Sequence, residues 1–106
     1  MRNRIEIENI EELRRREGVD DVELREAIRG LAMGDFVKLT FFSSTKSFAG
    51  ETLLVRITRI RGSAFRGQLA NRPVSISLSS LQVGSPVAFS AAHIHSIAMK
   101  EPTYEQ

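Results

Sequence analysis

Glu51–Asn71, E-T-L-L-V-R-I-T-R-I-R-G-S-A-F-R-G-Q-L-A-N, decides the fold. Val55 and Ile57 alternate with Leu54, Arg56, Thr58 and Ile60, and Phe65, Gly67 and Leu69 alternate with Arg66 and Gln68. A period of two sends one set to a buried face and the other outward, which predicts two β-strands. Val, Ile, Thr and Phe suit such a pleated, half-buried surface. Arg61-Gly62-Ser63 separates the two runs, and Gly62 supplies the backbone freedom of a tight reversal. The stretch reads as a β-hairpin.

The same period extends to both sides. Gly34-Asp35 reads as a turn into a strand at Phe36–Phe42, and Ser43–Gly50 as a polar loop long enough to be mobile. After the turn Asn71-Arg72-Pro73, Val74, Ile76 and Leu78 alternate with Ser75 and Ser77, which predicts a further strand. Pro86–Ser90 reads as another. His93–Met99 reads as a last strand, or a short helical turn followed by strand, and Glu101–Gln106 as a frayed tail. Five or six short strands joined by brief turns point to a small barrel, since closure removes exposed edges.

Before residue 31 the grammar is helical. Ile5–Glu8 reads as an extended arm. Asn9 is placed to cap a helix, with Glu12 three residues on, and Gly18 to end it. Asp20 with Glu23 repeats the pattern, and Leu24, Ala27, Ile28 and Leu31 form an apolar stripe that Gly30 terminates. Glu11–Arg15 and Asp21–Arg25 are acid-before-base pairs at i,i+4. The fold class expected is α+β: a helical segment over 1–31, a small SH3-like β-barrel of five or six strands over 34–99, and a flexible tail over 100–106.

A chain of 106 residues with 42% hydrophobic content is long enough to bury a core as one domain. It has no cysteine, which excludes disulfides, thiolate zinc sites and thiol nucleophiles, and suits a reducing, cytoplasmic setting. The first residues hold no signal-peptide run, and no stretch approaches the roughly 20 apolar residues of a membrane span, so no membrane partner is expected.

Charge is unevenly spread. Residues 1–30 carry seven Arg and nine acids, whereas residues 36–98 carry seven Lys and Arg and a single acid, Glu51. The asymmetry points to an anionic partner for the β part, or to docking of the acidic helical segment onto it.

Gly34-Asp35-Phe36-Val37-Lys38-Leu39-Thr40-Phe41, Glu51-Thr52-Leu53-Leu54-Val55, Phe65-Arg66-Gly67-Gln68-Leu69-Ala70-Asn71-Arg72-Pro73 and Gly84-Ser85-Pro86-Val87-Ala88-Phe89 follow one another in order. This set resembles a bacterial family of small β-rich domains of unknown function. Its pattern is a Gly-Asp turn, Glu-x-x-Trp-Val, Phe-x-Gly-x-Leu-x-Asn-x-Pro and Gly-x-x-Val-x-Phe. Leu54 stands where that pattern has Trp. The resemblance covers about half the chain, leaves out the helical segment, and implies a small β-rich fold without implying an activity.

Chemistry-bearing constellations are sparse. His93-Ile94-His95 would present two imidazoles on one side of a strand, but a zinc site needs three or four ligands, and Asp35 or Glu51 would have to complete it with no spacing that points to either. The serines lack a Gly-x-Ser-x-Gly elbow, and the carboxylates outside the helices do not pair for acid–base work. Gly62-Ser63-Ala64-Phe65-Arg66-Gly67 has no following helix to make it a phosphate cradle. No catalytic residue, metal or cofactor is expected, and the chain reads as a non-enzyme.

The helical pair resembles a helix-turn-helix, but Asp20, Asp21, Glu23 and Glu26 would face phosphates. Lys38, Arg56 and Arg66 fall in the outward phase of three strands, with Arg59, Arg61 and Arg72 nearby. These six are the candidate anion- or partner-binding residues. The function expected is a non-catalytic interaction module, protein-binding or self-associating through Ile10, Leu13 and the helical stripe. The alternative is a nucleic-acid-binding barrel using the basic strand face, although that face lacks aromatic stacking platforms.

Overall fold

The computed structural model describes residues 5–43 and 50–99. The chain runs β1 (Ile5–Ile7), α1 (Ile10–Arg16), α2 (Val22–Arg29), β2 (Phe36–Ser43), β3 (Glu51–Arg61) and β4 (Ala64–Leu69). A 3-10 turn at Ile76–Leu78, β5 (Pro86–Ser90), a second 3-10 turn at Ala91–His93 and β6 (Ser96–Met99) complete it. The fold is α+β: two short helices and six antiparallel strands rolled into a nearly closed barrel. The mobile loop and the tail expected from the sequence fall largely on 44–49 and 100–106, outside the described residues, as does Lys46.

The strands β2, β3, β4 and β5 form a meander, each paired with the next. The free edge of β2 is shared by two strands in line. β1 covers Phe41–Ser43, Glu8 N–H reaches Thr40 O at 2.8 Å, His95 N–H reaches Lys38 O at 2.9 Å, and β6 covers Phe36–Lys38.

The hairpin forms as read. Arg61 faces Ala64 across a two-residue loop, and Gly62 sits at φ 59°, where a side chain would be strained. Leu53, Val55, Ile57, Phe65 and Leu69 point into a core shared with Val37, Leu39, Phe41, Leu78, Val87, Phe89 and Ile94. Each such side chain contributes about 1.5–3 kcal/mol by leaving water. Phe65 and Phe89 stack at 5.3 Å within it. Gly67 is buried beside them, and the position requires glycine because a Cβ there would lie 2.5 Å from the Arg56 carbonyl oxygen.

Four expectations fail, each for a local reason. The alternation of β3 breaks at Thr58: the register passes from Ile57 opposite Gly67 to Arg59 opposite Arg66. This bulge leaves Thr58 and Arg59 both exposed and turns Ile60, assigned to the outward set, toward the core. Val74–Leu78 is not a strand. Glu51 accepts the N–H groups of Val74 and Ser75, so the segment has no sheet partner, and it closes into a 3-10 turn that buries only Leu78. The cap of α2 is Asp21 rather than Asp20, because helical geometry begins at Val22; Asp21 Oδ1 accepts Leu24 N–H at 3.0 Å. Displaced by one residue, Asp20 pairs with Arg25, and Asp21 with Arg14 instead of the expected Arg25.

The cap of α1 matches its reading. Asn9 Oδ1 accepts Glu12 N–H at 2.9 Å, and Glu11 and Arg15 approach at 3.9 Å. Gly18, at φ 75°, lets its own N–H and that of Val19 bond back to Arg15 and Arg14 carbonyls, ending the helix. Ile10, expected at a dimer contact, is only 4% exposed and is spent inside this chain.

Candidate functional site

The helices are held against the second 3-10 turn and β6, beside the tip of the β3–β4 hairpin. Arg14 is the bolt. Its Nη1 meets Asp21 Oδ2 at 2.5 Å, and its Nη2 donates to the His95 carbonyl at 3.4 Å, tying α1 to the start of α2 and to the barrel.

The bolt leaves a wedge open. No residue of α2 is buried, and its apolar stripe of Leu24 and Ile28, continued by Leu31, is only half covered. Across from it stand Ile60, Phe65, Ala91 and Ile94 of the barrel. Between the two walls lies a groove of about 670 Å³. Its rim carries Arg14, Arg15 and Arg25, each paired with an acid: Asp21, Glu11 and Asp20 in turn. The groove is therefore apolar at its floor and internally neutralised at its lip.

The six sequence candidates divide. Lys38, Arg56, Arg59 and Arg66 share the outward face of β2, β3 and β4. Arg56 faces Gln68 on one side and Phe36 on the other, so Lys38 and Arg66 are its diagonal neighbours, about 7–8 Å away by sheet geometry. Arg59 and Arg66 are directly opposed. Arg61 stands at the hairpin tip, and Arg72 lies beyond the far end of β4. No ion pair joins Lys38, Arg59, Arg61 or Arg66 to an acid among the described residues. A shallow depression of about 250 Å³ beside Arg66 is lined by Thr58, Gln68, Pro86 and Ala88.

A third feature lies outside the residues singled out from the sequence. Val74 and Ile76 are 89% and 88% exposed, while Ser75 between them is turned inward. The loop is fixed: Glu51 accepts two of its N–H groups, Ser75 and Ser77 hydroxyls meet at 2.9 Å, and Asn71 Oδ1 accepts Leu54 N–H at 2.9 Å. Pro73 followed by alternating serines was the available signal, and the period of two concealed it.

The histidines do not act together. His93 belongs to the second 3-10 turn and His95 follows it, so they do not share a strand face. Ser90 N–H donates to His93 Nδ1 at 3.0 Å, and burial lowers the His93 pKa below its ordinary value. His95 Nδ1 meets the Ser96 hydroxyl at 3.0 Å. Among the described residues, no group of three or more His, Asp or Glu is placed to hold a metal ion. No described helix is long and apolar enough to cross a membrane.

Comparison of the chain with family models, with curated proteins and with solved structures returned no match.

Proposed function

We propose that the protein is a non-catalytic interaction module whose groove between α2 and the barrel receives an apolar segment of a protein partner. The observation that carries this reading is the half-covered stripe of α2: Leu24, Ile28 and Leu31 line, together with Ile60 and the edges of Phe65 and Ile94, about 670 Å³ of open space. An amphipathic helix normally buries such a stripe. A groove with apolar anchors and a polar lip is the arrangement that accepts a helix or an extended peptide. The paired arginines at the rim favour an apolar ligand over a charged one. The barrel is assigned to the SH3-like class on the support of its four-strand meander, whose first strand pairs with the strand that follows the second 3-10 turn. The likeness to the bacterial family of β-rich domains is retained in this reading. A cysteine-free chain suits the cytoplasm.

Selection of displayed peptides on the purified protein tests the reading. Bound sequences with apolar anchors, whose affinity falls at least tenfold in Leu24→Lys or Ile28→Lys and not in Arg59→Ala/Arg66→Ala, support it. Peptides insensitive to the groove substitutions overturn it.

A second reading, nucleic-acid binding, is favoured by one observation: the register gathers Lys38, Arg56, Arg59 and Arg66 on one face whose strands carry a single acid, Glu51. Titration of fluorescent single- and double-stranded oligonucleotides at low and moderate salt tests it. Binding that weakens steeply with salt and is lost in Arg59→Ala/Arg66→Ala supports it, and no binding at low salt removes it.

A further inference from the structure

The apolar groove has an apolar counterpart on the same chain that cannot reach it. Val74 and Ile76 project from a loop pinned at the Glu51 end of β3, while Ile60, at the other end of that strand, lines the groove. β3 has eleven residues, so the two features are separated by about 30 Å along the strand at the usual rise per residue. Both are fixed to the barrel, which excludes an encounter within one chain.

The projection is built rather than loose. Two branched aliphatic side chains stand almost fully in water while the backbone that bears them is tied down by a carboxylate and a serine pair. Exposed apolar groups held rigidly in this way lose little conformational entropy on docking, which is the property of an interface anchor. Charge complements the shape. The helical pair that supplies the groove's outer wall, residues 10–29, carries five arginines against seven acids, and the barrel carries the excess of cations. Arg72, exposed two residues before Val74, would approach the acidic helical side of a neighbouring molecule.

We propose that copies of this protein associate head to tail, with Val74 and Ile76 of one copy seated in the groove between α2 and the barrel of the next. The proposal rests on the groove reading above and names its occupant. Each copy contributes two different patches, so the contact is heterologous: an unused anchor and an unused groove remain at the ends of every assembly until a ring closes. An anchor of two side chains makes a small contact, which places the association in the weak, concentration-dependent class.

Sedimentation velocity of the full chain across concentrations, at low and moderate salt, is the test. The mass rises past that of a dimer with concentration, and rises less at the higher salt. Val74→Ser/Ile76→Ser removes the anchor at exposed positions, and Ile28→Lys blocks the half-buried groove wall, folding of each being checked by circular dichroism and thermal melting. Each variant alone remains monomeric. Mixed in equal amounts they form a 1:1 heterodimer and nothing larger, because the groove of one receives the anchor of the other. A wild-type chain that stays monomeric, association unchanged in both variants, or either variant alone stopping at a dimer would overturn the proposal. If the wild type is monomeric while selected peptides still bind the groove, the groove reading stands and the second copy is the wrong occupant. If neither binds, both fail.

Discussion

Glu51 Oε2 accepts the backbone N–H of Val74 at 2.7 Å, across 23 residues of chain, and its Oε1 takes the next N–H, that of Ser75, at 2.9 Å. One carboxylate thus fixes the loop that carries the exposed anchor, and no strand is needed to hold it. Glu51→Ala removes both acceptors and is expected to lower the unfolding free energy by about 1–3 kcal/mol. Val74→Ser, which removes exposed carbon only, is expected to change it by less than about 0.5 kcal/mol. Urea denaturation of the two variants checks the difference.

Gly67 is a packing requirement at the bulge. An added methyl group would meet the Arg56 carbonyl oxygen at 2.5 Å and Val55 Cγ1 at 2.6 Å, and the first of these is backbone in the middle of a sheet. Gly67→Ala is expected to destabilise the barrel by at least about 2 kcal/mol. A melting temperature equal to that of the wild type would show that β3 and β4 can part without loss.

Arg59 and Arg66 oppose each other with like charge, an arrangement that weakens a strand pair. Arg66→Glu is expected to raise stability by about 0.2–1 kcal/mol at low ionic strength. The gain shrinks as salt screens the pair. Thermal melts of both proteins at two salt concentrations measure it, and destabilisation by the acid at low salt would refute the electrostatic account.

His93 carries a pH dependence of known sign. Burial lowers its folded-state pKa below the unfolded value, and its Nδ1 must stay unprotonated to accept from Ser90 N–H. As pH falls through the unfolded pKa of about 6.5, the unfolded chain therefore takes up the proton first. The stability His93 contributes is whole above that pH and declines below it until the folded form also protonates. Melting temperatures between pH 8 and 5 are expected to fall in the wild type and to fall less in His93→Gln, which keeps an acceptor and does not titrate.

The hairpin was legible because Val55, Ile57, Phe65 and Leu69 obey a period of two that nothing in the local chain contradicts, and the outward phases of Lys38, Arg56 and Arg66 followed from it. The bulge was not legible. Thr58 and Arg59 are both polar, so two successive outward residues look no different from one outward residue and a tolerated exception. V-S-I-S-L obeys the same period without being a strand, since alternation describes side chains whereas a strand also needs a ladder partner. Here a carboxylate 23 residues upstream took the N–H groups. The groove was hidden for the same kind of reason: Leu24, Ile60 and Ile94 come to line one groove only after the barrel has closed, and no local pattern records how completely a helix stripe is covered.

The shared edge of β2 has a consequence for how the chain is made. Its Phe41–Ser43 half pairs with β1, which leaves the ribosome earlier, whereas its Phe36–Lys38 half waits for β6, more than fifty residues later. At synthesis rates of about 5–20 residues per second, that half-edge stays bare for on the order of three to twelve seconds. During those seconds Phe36 and Val37 offer unpaired backbone to any passing strand, and the exposed Lys38 is the nascent chain's guard against the wrong one.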